Sequence, residues 1–492
     1  MNILYLLPGL PFVFGIASFL VSAEATRRLL LIISAVIHLI LTLSLFMPEV
    51  VVEPDSWLIA DALSRLFLLC VSLLFMALAF YHQFSSEQTP GNANAMPQKM
   101  QFFRQPEKVF AASLQFFLAA MSLAVLSRHF GLQWIGIEAT TLASTPLIYY
   151  KRSRHSLEAA WKYLVICSVG ISLALLGLFF LAMAMPAGHH DFSSESLSFY
   201  ATYLNPQWLK IAFLFILVGY GTKMGLAPMH TWLPDAHGEA PALVSALLSG
   251  ALLNCAFLGI LRVFQVIQAA GLTIFADEIF IVAGLLSMAT ASLFIFHQSD
   301  YKRMLAYSSV EHMGILILGM GIGGLAIFAA MLHVVCHSVV KAGLFLCSGN
   351  ILKAFGSRKC DVATDLKRRL PVNGALWVTG FLAITGAPPF ATFLSEFLLL
   401  KAALDSNKML VAFLYVLLLS AVFVGMLGIV IKMYSAPSQQ SELDKIAFKE
   451  EIFTAVPAAF LFAIALLLTF YAPDSFMAVL KDATTSLGGK TL

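Results

Sequence analysis

Long apolar stretches, separated by short polar loops, follow one another along the whole chain. Fourteen of them reach about the 20 residues that an α-helix needs to cross a lipid bilayer. They lie at residues 3–21, 29–46, 57–81, 109–127, 130–150, 159–184, 207–234, 241–263, 279–297, 305–325, 327–353, 374–402, 409–433 and 452–472. The pattern predicts an all-α polytopic membrane protein with about fourteen transmembrane helices.

The polar loops differ in their content of Lys and Arg. Most of these residues lie in the odd-numbered loops, among them Arg27, Arg28 and the runs at 151–154 and 367–369. Cytoplasmic loops of membrane proteins carry such an excess. We therefore expect the odd-numbered loops to be cytoplasmic. Both termini would then face the periplasm of a bacterial inner membrane.

Two stretches are interrupted by Gly and Pro. The seventh reads GYGTKMGLAPMHTWLP and contains Pro228, and the twelfth reads TGAPPFATFLSE and contains Pro388 and Pro389. Proline removes a backbone donor and frees a carbonyl, which in lipid must find a protein or water partner. Broken helices in matching positions of two halves point to a transport site. Two ordinary proline kinks are the alternative interpretation.

The composition restricts the class of protein further. Hydrophobic residues make up 60% of the 492 residues and charged residues 12%, against about 25% charged in soluble domains. A cytosolic enzyme, a disordered chain and a DNA-binding protein are therefore excluded. The six cysteines form no CxxC pair, so we expect no iron–sulfur cluster, disulfide framework or cofactor. Any redox chemistry would then belong to a partner.

Glu138 and Lys223 lie within apolar stretches, where a charge costs roughly 2.5–3.5 kcal/mol on insertion scales. Glu138 is surrounded by Thr140, Thr141 and Ser144, and either binds a proton or is a structural glutamate capped by those hydroxyls. Lys223 is too deep to reach either surface. A lysine that gains and loses a carboxylate partner would act as an electrostatic proton gate.

His333, His337 and Lys341 follow one another at intervals of four residues, which places them on one helix face. Neutral histidine can pass a proton between its two nitrogens, so a proton relay is the favoured interpretation. A zinc site with Cys336 and plain packing are the alternatives, and we expect no metal. Glu396 follows the second break and faces either a half-channel or the membrane interface.

Other polar residues near the ends of the spans are auxiliary candidates. Lys162 begins the sixth span and could reach the surface. Residues beyond the seventh span would shape a vestibule or cap the next helix: His230, Asp235, His237 and Glu239. Residues at the start of the tenth span would form a solvated cytoplasmic cluster: Asp300, Lys302, Arg303, Glu311 and His312.

Three sequence blocks resemble a known family. GTKMGLAPMHTWLPDAHGEAP (221–241), DYKRMLAYSSVEHMG (300–314) and HVVCHSVVKAGLFLCSGN (333–350) are similar to antiporter-like proton-translocating membrane subunits. Such subunits occur in respiratory complex I, Mrp-type sodium/proton antiporters and group 4 hydrogenases. The resemblance covers about residues 110–402. Within the family, the motif E-H-M-G at residues 311–314 is most similar to the component F subfamily of hydrogenase-4-type complexes.

The resemblance implies a fold with two inverted five-helix repeats. The chain would divide into helices 1–3 (1–108), a first repeat of helices 4–8 (109–263), a second of helices 9–13 (277–433) and helix 14 with a tail (434–492). Six residues would match the family's proton path: Glu138, Lys223, His333, His337, Lys341 and Glu396. Asn254 departs from the pattern, because many relatives carry Lys or His there and Asn cannot carry a proton.

The resemblance also implies a function. The chain would be a proton-translocating subunit of a redox-driven complex of hydrogenase-4/formate-hydrogenlyase type, without an active site of its own. Its partners would be other membrane subunits and a peripheral redox arm with nickel–iron or iron–sulfur centres. The alternatives are a subunit of an NADH-quinone oxidoreductase, of an Mrp-type sodium/proton antiporter or of a proton-driven inorganic carbon uptake complex, or a purely structural role.

Overall fold

The computed structural model describes residues 3–47, 57–85, 106–186, 188, 191–435 and 450–491. These residues form helices and the turns and short connections between them. Among them, twelve segments are long and apolar enough to cross a membrane. This confirms the all-α polytopic membrane fold. The count of fourteen membrane crossings stays a prediction.

Every predicted stretch corresponds to one helix or to a broken pair of helices. The helices that correspond to these stretches begin and end as follows: α1 Ile3–Leu20, α2 Glu24–Ser44, α3 Ala62–Phe84, α4 Pro106–Leu126, α5 Phe130–Ile148, α6 Arg154–Ala184, α8 Pro206–Met224, α9 Trp232–Glu239, α10 Ala242–Leu247, α11 Leu253–Ala269, α12 Thr273–Ile295, α13 Tyr301–Ile322, α14 Leu325–Phe355, α16 Pro371–Ile384, α17 Ala391–Asp405, α18 Met409–Ser435 and α19 Ile452–Phe470. Three further helices lie outside the stretches: α7 Ser194–Phe199, α15 Leu366–Arg369 and α20 Asp474–Thr485.

Helix α14 lies at the centre of the molecule, where it packs against α3, α10, α13, α16, α17 and α19. Nearly all of its residues are buried. The peripheral helix α2 is built the other way round, with Ile33 and Ile40 exposed on its outer side. Its His38 points inward, and the two ring nitrogens each lie 2.8 Å from a hydroxyl, of Ser72 and of Ser122. Apolar side chains therefore face lipid, and polar side chains face the interior.

The first break separates α8 from α9. Gly225 ends α8 with φ of +84°, a left-handed conformation that favours glycine. The indole nitrogen of Trp232 donates to the carbonyl of Thr222 at 2.8 Å. The amide of Ala227 donates to the hydroxyl of Ser287 at 3.1 Å. Backbone groups released by the break are thus satisfied inside the protein, as a membrane interior requires.

The second break separates α16 from α17. Its backbone groups also find hydrogen-bond partners within the protein. Gly386 has φ of +65°, and the amide of Ala387 donates to the carbonyl of Leu382 at 2.9 Å. The hydroxyl of Thr392 donates to the carbonyl of Ala383. Both interruptions are therefore true breaks with internal partners, and the alternative of ordinary proline kinks is wrong.

A π-helical turn at Leu248–Leu252 connects α10 with α11, and the hydropathy pattern gives no sign of it. It faces α14, and a Cβ on Gly250 would lie 2.9 Å from the carbonyl oxygen of Ser338. The side-chain amide of Asn254 donates to the carbonyl of Gly250 at 2.8 Å. Such turns occur frequently at functional sites. This one brings Asn254 against the central helix.

An ion pair ties α11 to the beginning of α3. The guanidinium of Arg262 donates to Asp61 at 2.7 Å and to the hydroxyl of Ser64 at 2.9 Å. Burial of Asp61 disfavours its charge, but the charge and hydrogen bonds of Arg262 together with hydrogen bonds from Ser64 outweigh burial and lower the pKa of this carboxyl below its usual value. The pair anchors the N-terminal helices to the rest of the protein.

Candidate functional site

Lys223 lies in the last turn of α8, directly before the first break, and its side chain is fully buried. The ammonium donates to the hydroxyl of Thr141 on α5 at 2.7 Å and to that of Tyr163 on α6 at 2.6 Å. Tyr163 in turn lies 2.7 Å from the hydroxyl of Ser144. The ammonium on α8 is therefore held by hydroxyl groups of α5 and α6, and it also lies 4.6 Å from the centre of the Tyr163 ring. We call Glu138, Thr141, Ser144, Tyr163 and Lys223 the Lys223 cluster.

Glu138 lies on the same side of α5 as Thr141 and is half-buried. Its carboxylate accepts from the hydroxyl of Ser168 at 2.9 Å and from that of Thr141 at 3.2 Å. An ammonium can only donate, so Thr141 accepts from Lys223 and directs its own hydrogen to Glu138. The two charged groups are thus linked through one threonine hydroxyl rather than by a direct ion pair.

Asn254 lies between this cluster and the central helix. Its amide donates to the hydroxyl of Ser338 on α14 at 2.7 Å, and Ser338 directly follows His337 in the chain. A second bridge in this region joins the hydroxyls of Ser249 and Ser309 at 2.8 Å. Neutral polar groups therefore occupy the position at which the family pattern leads us to expect an ionisable residue.

Lys341 is fully buried on α14, and its ammonium donates to the backbone carbonyl of Leu305 at 2.8 Å. Glu311 on α13 is 3% exposed and interacts electrostatically with Lys341. His237 and His337 are fully buried, and their ring nitrogens have no hydrogen-bond partner in the described part of the chain. We call His237, Glu311, His337 and Lys341 the Lys341 cluster.

His312 lies between the two histidines of α14. Its Nδ1 is 2.9 Å from Nε2 of His333, and its ring centre is 5.2 Å from that of His337. Nδ1 of His333 lies 2.9 Å from the hydroxyl of Ser395, which directly precedes Glu396 on α17. Glu396 is 8% exposed and lies against Gly386 of the second break. Residues of α13, α14 and α17 thus form a continuous polar chain.

Part of the predicted solvated cluster at the start of α13 is buried instead. Lys302 is fully buried and donates to the carbonyl of Ala240 at 2.6 Å, while Glu311 and His312 lie in the interior. The prediction of a solvated cluster is wrong for these three residues. They lie on a helix whose residues are all buried except Arg303 near its start.

The remaining auxiliary candidates lie nearer the surface. The exposed ammonium of Lys162 pairs with Glu158 at 2.8 Å and with Asp235 at 3.1 Å. Asp235 also pairs with Arg303 at 3.2 Å, and the two residues line one cleft of about 230 Å³ together with Glu239, Asp300 and Arg358. His230 is buried against the rings of Phe294 and Tyr307. Asp300 caps α13 by accepting from the backbone amide of Lys302 at 2.8 Å.

Sequence reasoning missed the hydroxyls that hold Lys223 and the residues that extend the histidine chain. Thr141 lies three positions after Glu138, a spacing that places both on one helix face. Tyr163 carries no signal, because nothing in its own segment shows that α8 packs there. His312 and Glu311 stand out as ionisable residues, but the predicted stretch 305–325 places them within two turns of its start, whereas they lie at the middle of α13. Ser395 has no signal of its own beyond its place before Glu396.

The fold and these buried groups define a class of protein: a polytopic helical membrane protein with two broken helices and ionisable side chains held in its interior. The family model described as NADH:quinone oxidoreductase/Mrp antiporter, TM matches residues 127–424. The chain therefore belongs to this family and is one of its antiporter-like membrane subunits.

Comparisons with individual proteins agree with that assignment. The chain is 37% identical over 393 residues to a hydrogenase-4 component F homolog of Methylacidiphilum infernorum (isolate V4), covering 79% of this chain and 81% of the relative. Its fold matches a chain of the archaeal membrane-bound sulfane sulfur reductase with a TM-score of 0.85, covering 99% of this chain and 98% of that one at 18% identity. A chain of the Mrp complex from Dietzia sp. DQ12-45-1b gives 0.81 at 18% identity, covering 99% and 97%.

Proposed function

We propose that the chain translocates protons as the antiporter-like membrane subunit of a redox-driven complex of hydrogenase-4/formate-hydrogenlyase type. The observation that carries the proposal is the placement of Lys223, fully buried and joined to Glu138 through the hydroxyl of Thr141. A buried cation whose hydrogen-bond partners are neutral hydroxyls loses stabilisation when the nearby carboxylate moves away. Its proton affinity therefore depends on the position of Glu138.

The coupling step follows from this arrangement. A structural change in a partner subunit would shift Glu138 relative to Thr141 and so alter the field at Lys223. The released proton would pass along the polar groups of α11, α13 and α14 toward Lys341 and the histidines. Glu396, at the second break, would be the last group that holds it. Between the two lysines, the path would pass Asn254 and Ser338, which are hydrogen-bonded to each other and carry no charge.

The proposed partners are other membrane subunits and a peripheral arm with nickel–iron or iron–sulfur centres. The 37% identity to the hydrogenase-4 component F homolog supports this choice. The proposed location is a bacterial inner membrane with both termini on the periplasmic side, which rests on the distribution of Lys and Arg over the loops. The proposed division into two inverted repeats is supported by the matching breaks after Lys223 and before Glu396.

Replacement of Lys223 by Ala tests the proposal in membranes that contain the whole complex. The number of protons moved per electron should fall by at least about tenfold, because no other cation among the described residues occupies this position. Lys210→Ala is a matched control, since Lys210 lies on the same helix and contacts the ring of Phe275. An unchanged proton-to-electron ratio in Lys223→Ala would refute the proposed function.

A further inference from the structure

The end of the polar chain combines three groups that can bind a metal ion. One ligand atom each of His312, His333 and Glu396 lies within 4.8 Å of the others, and all three residues are buried. Oε1 of Glu396 and Nε2 of His312 have no hydrogen-bond partner in the described part of the chain. Two imidazoles and one carboxylate form a ligand set that zinc prefers, with a fourth position left for water.

The hydrogen bonds around His333 determine which of its nitrogens can bind. The hydroxyl of Ser395 donates to the carbonyl of Thr392 at 2.8 Å, so toward His333 it must accept. Nδ1 of His333 therefore carries the hydrogen, and Nε2 presents its lone pair to His312. A histidine that donates one nitrogen to a neighbour and directs the other into a site has the orientation typical of metal ligands.

We propose that His312, His333 and Glu396 form a binding site for a divalent transition-metal ion of the zinc class. The ion binds between Nδ1 of His312 and Nε2 of His333, where a hydrogen now lies. That hydrogen moves to Nε2 of His312. The two nitrogens, now 2.9 Å apart, need to separate only to the roughly 3.3 Å of a tetrahedral site with 2.0–2.1 Å bonds. Occupation removes the hydrogen bond between His312 and His333.

The carboxylates around the site offset part of the charge of a dication. Glu396 supplies one negative charge, and Glu311 interacts electrostatically with Glu396 and supplies a second. Lys341 opposes the ion through its interaction with His312, and Glu311 faces Lys341 as well. An ion that arrives through the second break meets Glu396 first, because its carboxylate lies against the partly exposed Gly386. Inhibition of proton transfer by such an ion rests on the proposed function, whereas binding does not.

Zinc binding is measured on the purified full-length chain in lipid nanodiscs, with Zn²⁺ as the added ion. X-ray absorption at the zinc edge should show nitrogen and oxygen ligands with two imidazoles and no sulfur. His312→Gln and Glu396→Gln should each weaken binding by at least about tenfold. Cys336→Ser should leave the affinity unchanged, and so should His155→Gln, which removes a histidine from the surface cleft.

Sulfur in the zinc shell of the native chain would overturn the proposal and indicate a site with Cys336. An affinity that neither His312→Gln nor Glu396→Gln changes would also overturn it, since zinc would then be bound elsewhere. The absorption spectrum of the native chain needs no variant, so a misfolded variant does not obscure the result. Failure of the proposed function in Lys223→Ala would leave this spectrum intact, and the two failures are therefore distinguishable.

Discussion

The Lys223 cluster and the Lys341 cluster both bury a lysine completely, but they hold it in different ways. Lys223 donates to two side-chain hydroxyls, of Thr141 and Tyr163. Lys341 donates to a backbone carbonyl, of Leu305. A hydroxyl can rotate, and it both donates and accepts, whereas a helix carbonyl stays in place and only accepts. The first lysine has movable partners, and the second is anchored.

The carboxylates of the two clusters also differ, because one is half-buried and the other is enclosed. Glu138 is half-buried and reaches Lys223 through Thr141, whereas Glu311 is almost fully buried. A half-buried group at the edge of the molecule can respond to a neighbouring subunit. A group enclosed by the central helices responds only to changes within the protein. Under the proposed function, the Lys223 cluster would receive the signal and the Lys341 cluster would store the proton.

The largest effect is expected from Lys341→Arg. Arginine keeps the positive charge but does not release its proton, so proton translocation should fall by at least about tenfold while the chain still assembles. Proton uptake by vesicles that hold the complex measures the change. Lys432→Arg is the control, because Lys432 is exposed and pairs with Asp361 at the surface. Normal translocation in Lys341→Arg would show that Lys341 is an anchored structural charge.

A smaller effect is expected when the two breaks are compared by Gly→Ala substitution. Gly225 and Gly386 both have positive φ, so each substitution should destabilise the protein by about 1–2 kcal/mol. A Cβ on Gly386 would overlap the carboxylate of Glu396, whereas one on Gly225 would overlap only the flexible end of Leu233. Translocation should therefore fall several-fold more in Gly386→Ala than in Gly225→Ala.

Thermal unfolding and vesicle assays on the same preparations separate stability from transport. Gly428→Ala on α18 is the control, because a methyl group at that position would meet no atom within 4 Å beyond its chain neighbours and its own helix backbone. Equal loss of translocation in the two break variants would mean that Glu396 is not sensitive to the shape of the second break.

The smallest effect is expected from Thr141→Val, which keeps the shape and removes the hydroxyl between Glu138 and Lys223. The hydroxyl accepts from Lys223 and donates to Glu138, and a net loss of about 1 kcal/mol from the two bonds should lower the translocation rate by roughly fivefold. Thr140→Val is the matched control, because its hydroxyl donates to the carbonyl of Ile137. Combination with Glu138→Gln should add little, since both changes break the same link. Additive losses would show that Glu138 and Lys223 act independently.

Much of the fold could be predicted because hydropathy reports a local property. A helix in lipid satisfies its own backbone hydrogen bonds, so a sufficiently long apolar stretch is enough to predict one. The interruptions at Pro228 and at Pro388 and Pro389 were also predictable, since proline acts on its own helix. The π-helical turn at Leu248–Leu252 was not, because it depends on the approach of α14.

The candidate site divides in the same manner. Glu138, Lys223, His333, His337, Lys341 and Glu396 stand out in the sequence as ionisable residues within apolar surroundings. Lys302, Glu311 and His312 were misplaced, because only the packing of α13 shows that Lys302 at its start and Glu311 and His312 at its middle are enclosed. Residues near the end of a span have no local signal that separates burial from solvation.

The sequence by itself determined where the long apolar helices lie and that ionisable residues such as Lys223 and Lys341 occur within them, because hydropathy is a local property of each segment. The tertiary structure alone decided that Thr141 and Tyr163 hold Lys223. It also decided that His333 contacts His312 through one ring nitrogen and Ser395 through the other. Those contacts join helices far apart in the chain. Their partners are therefore a property of how the helices pack, which no single segment encodes.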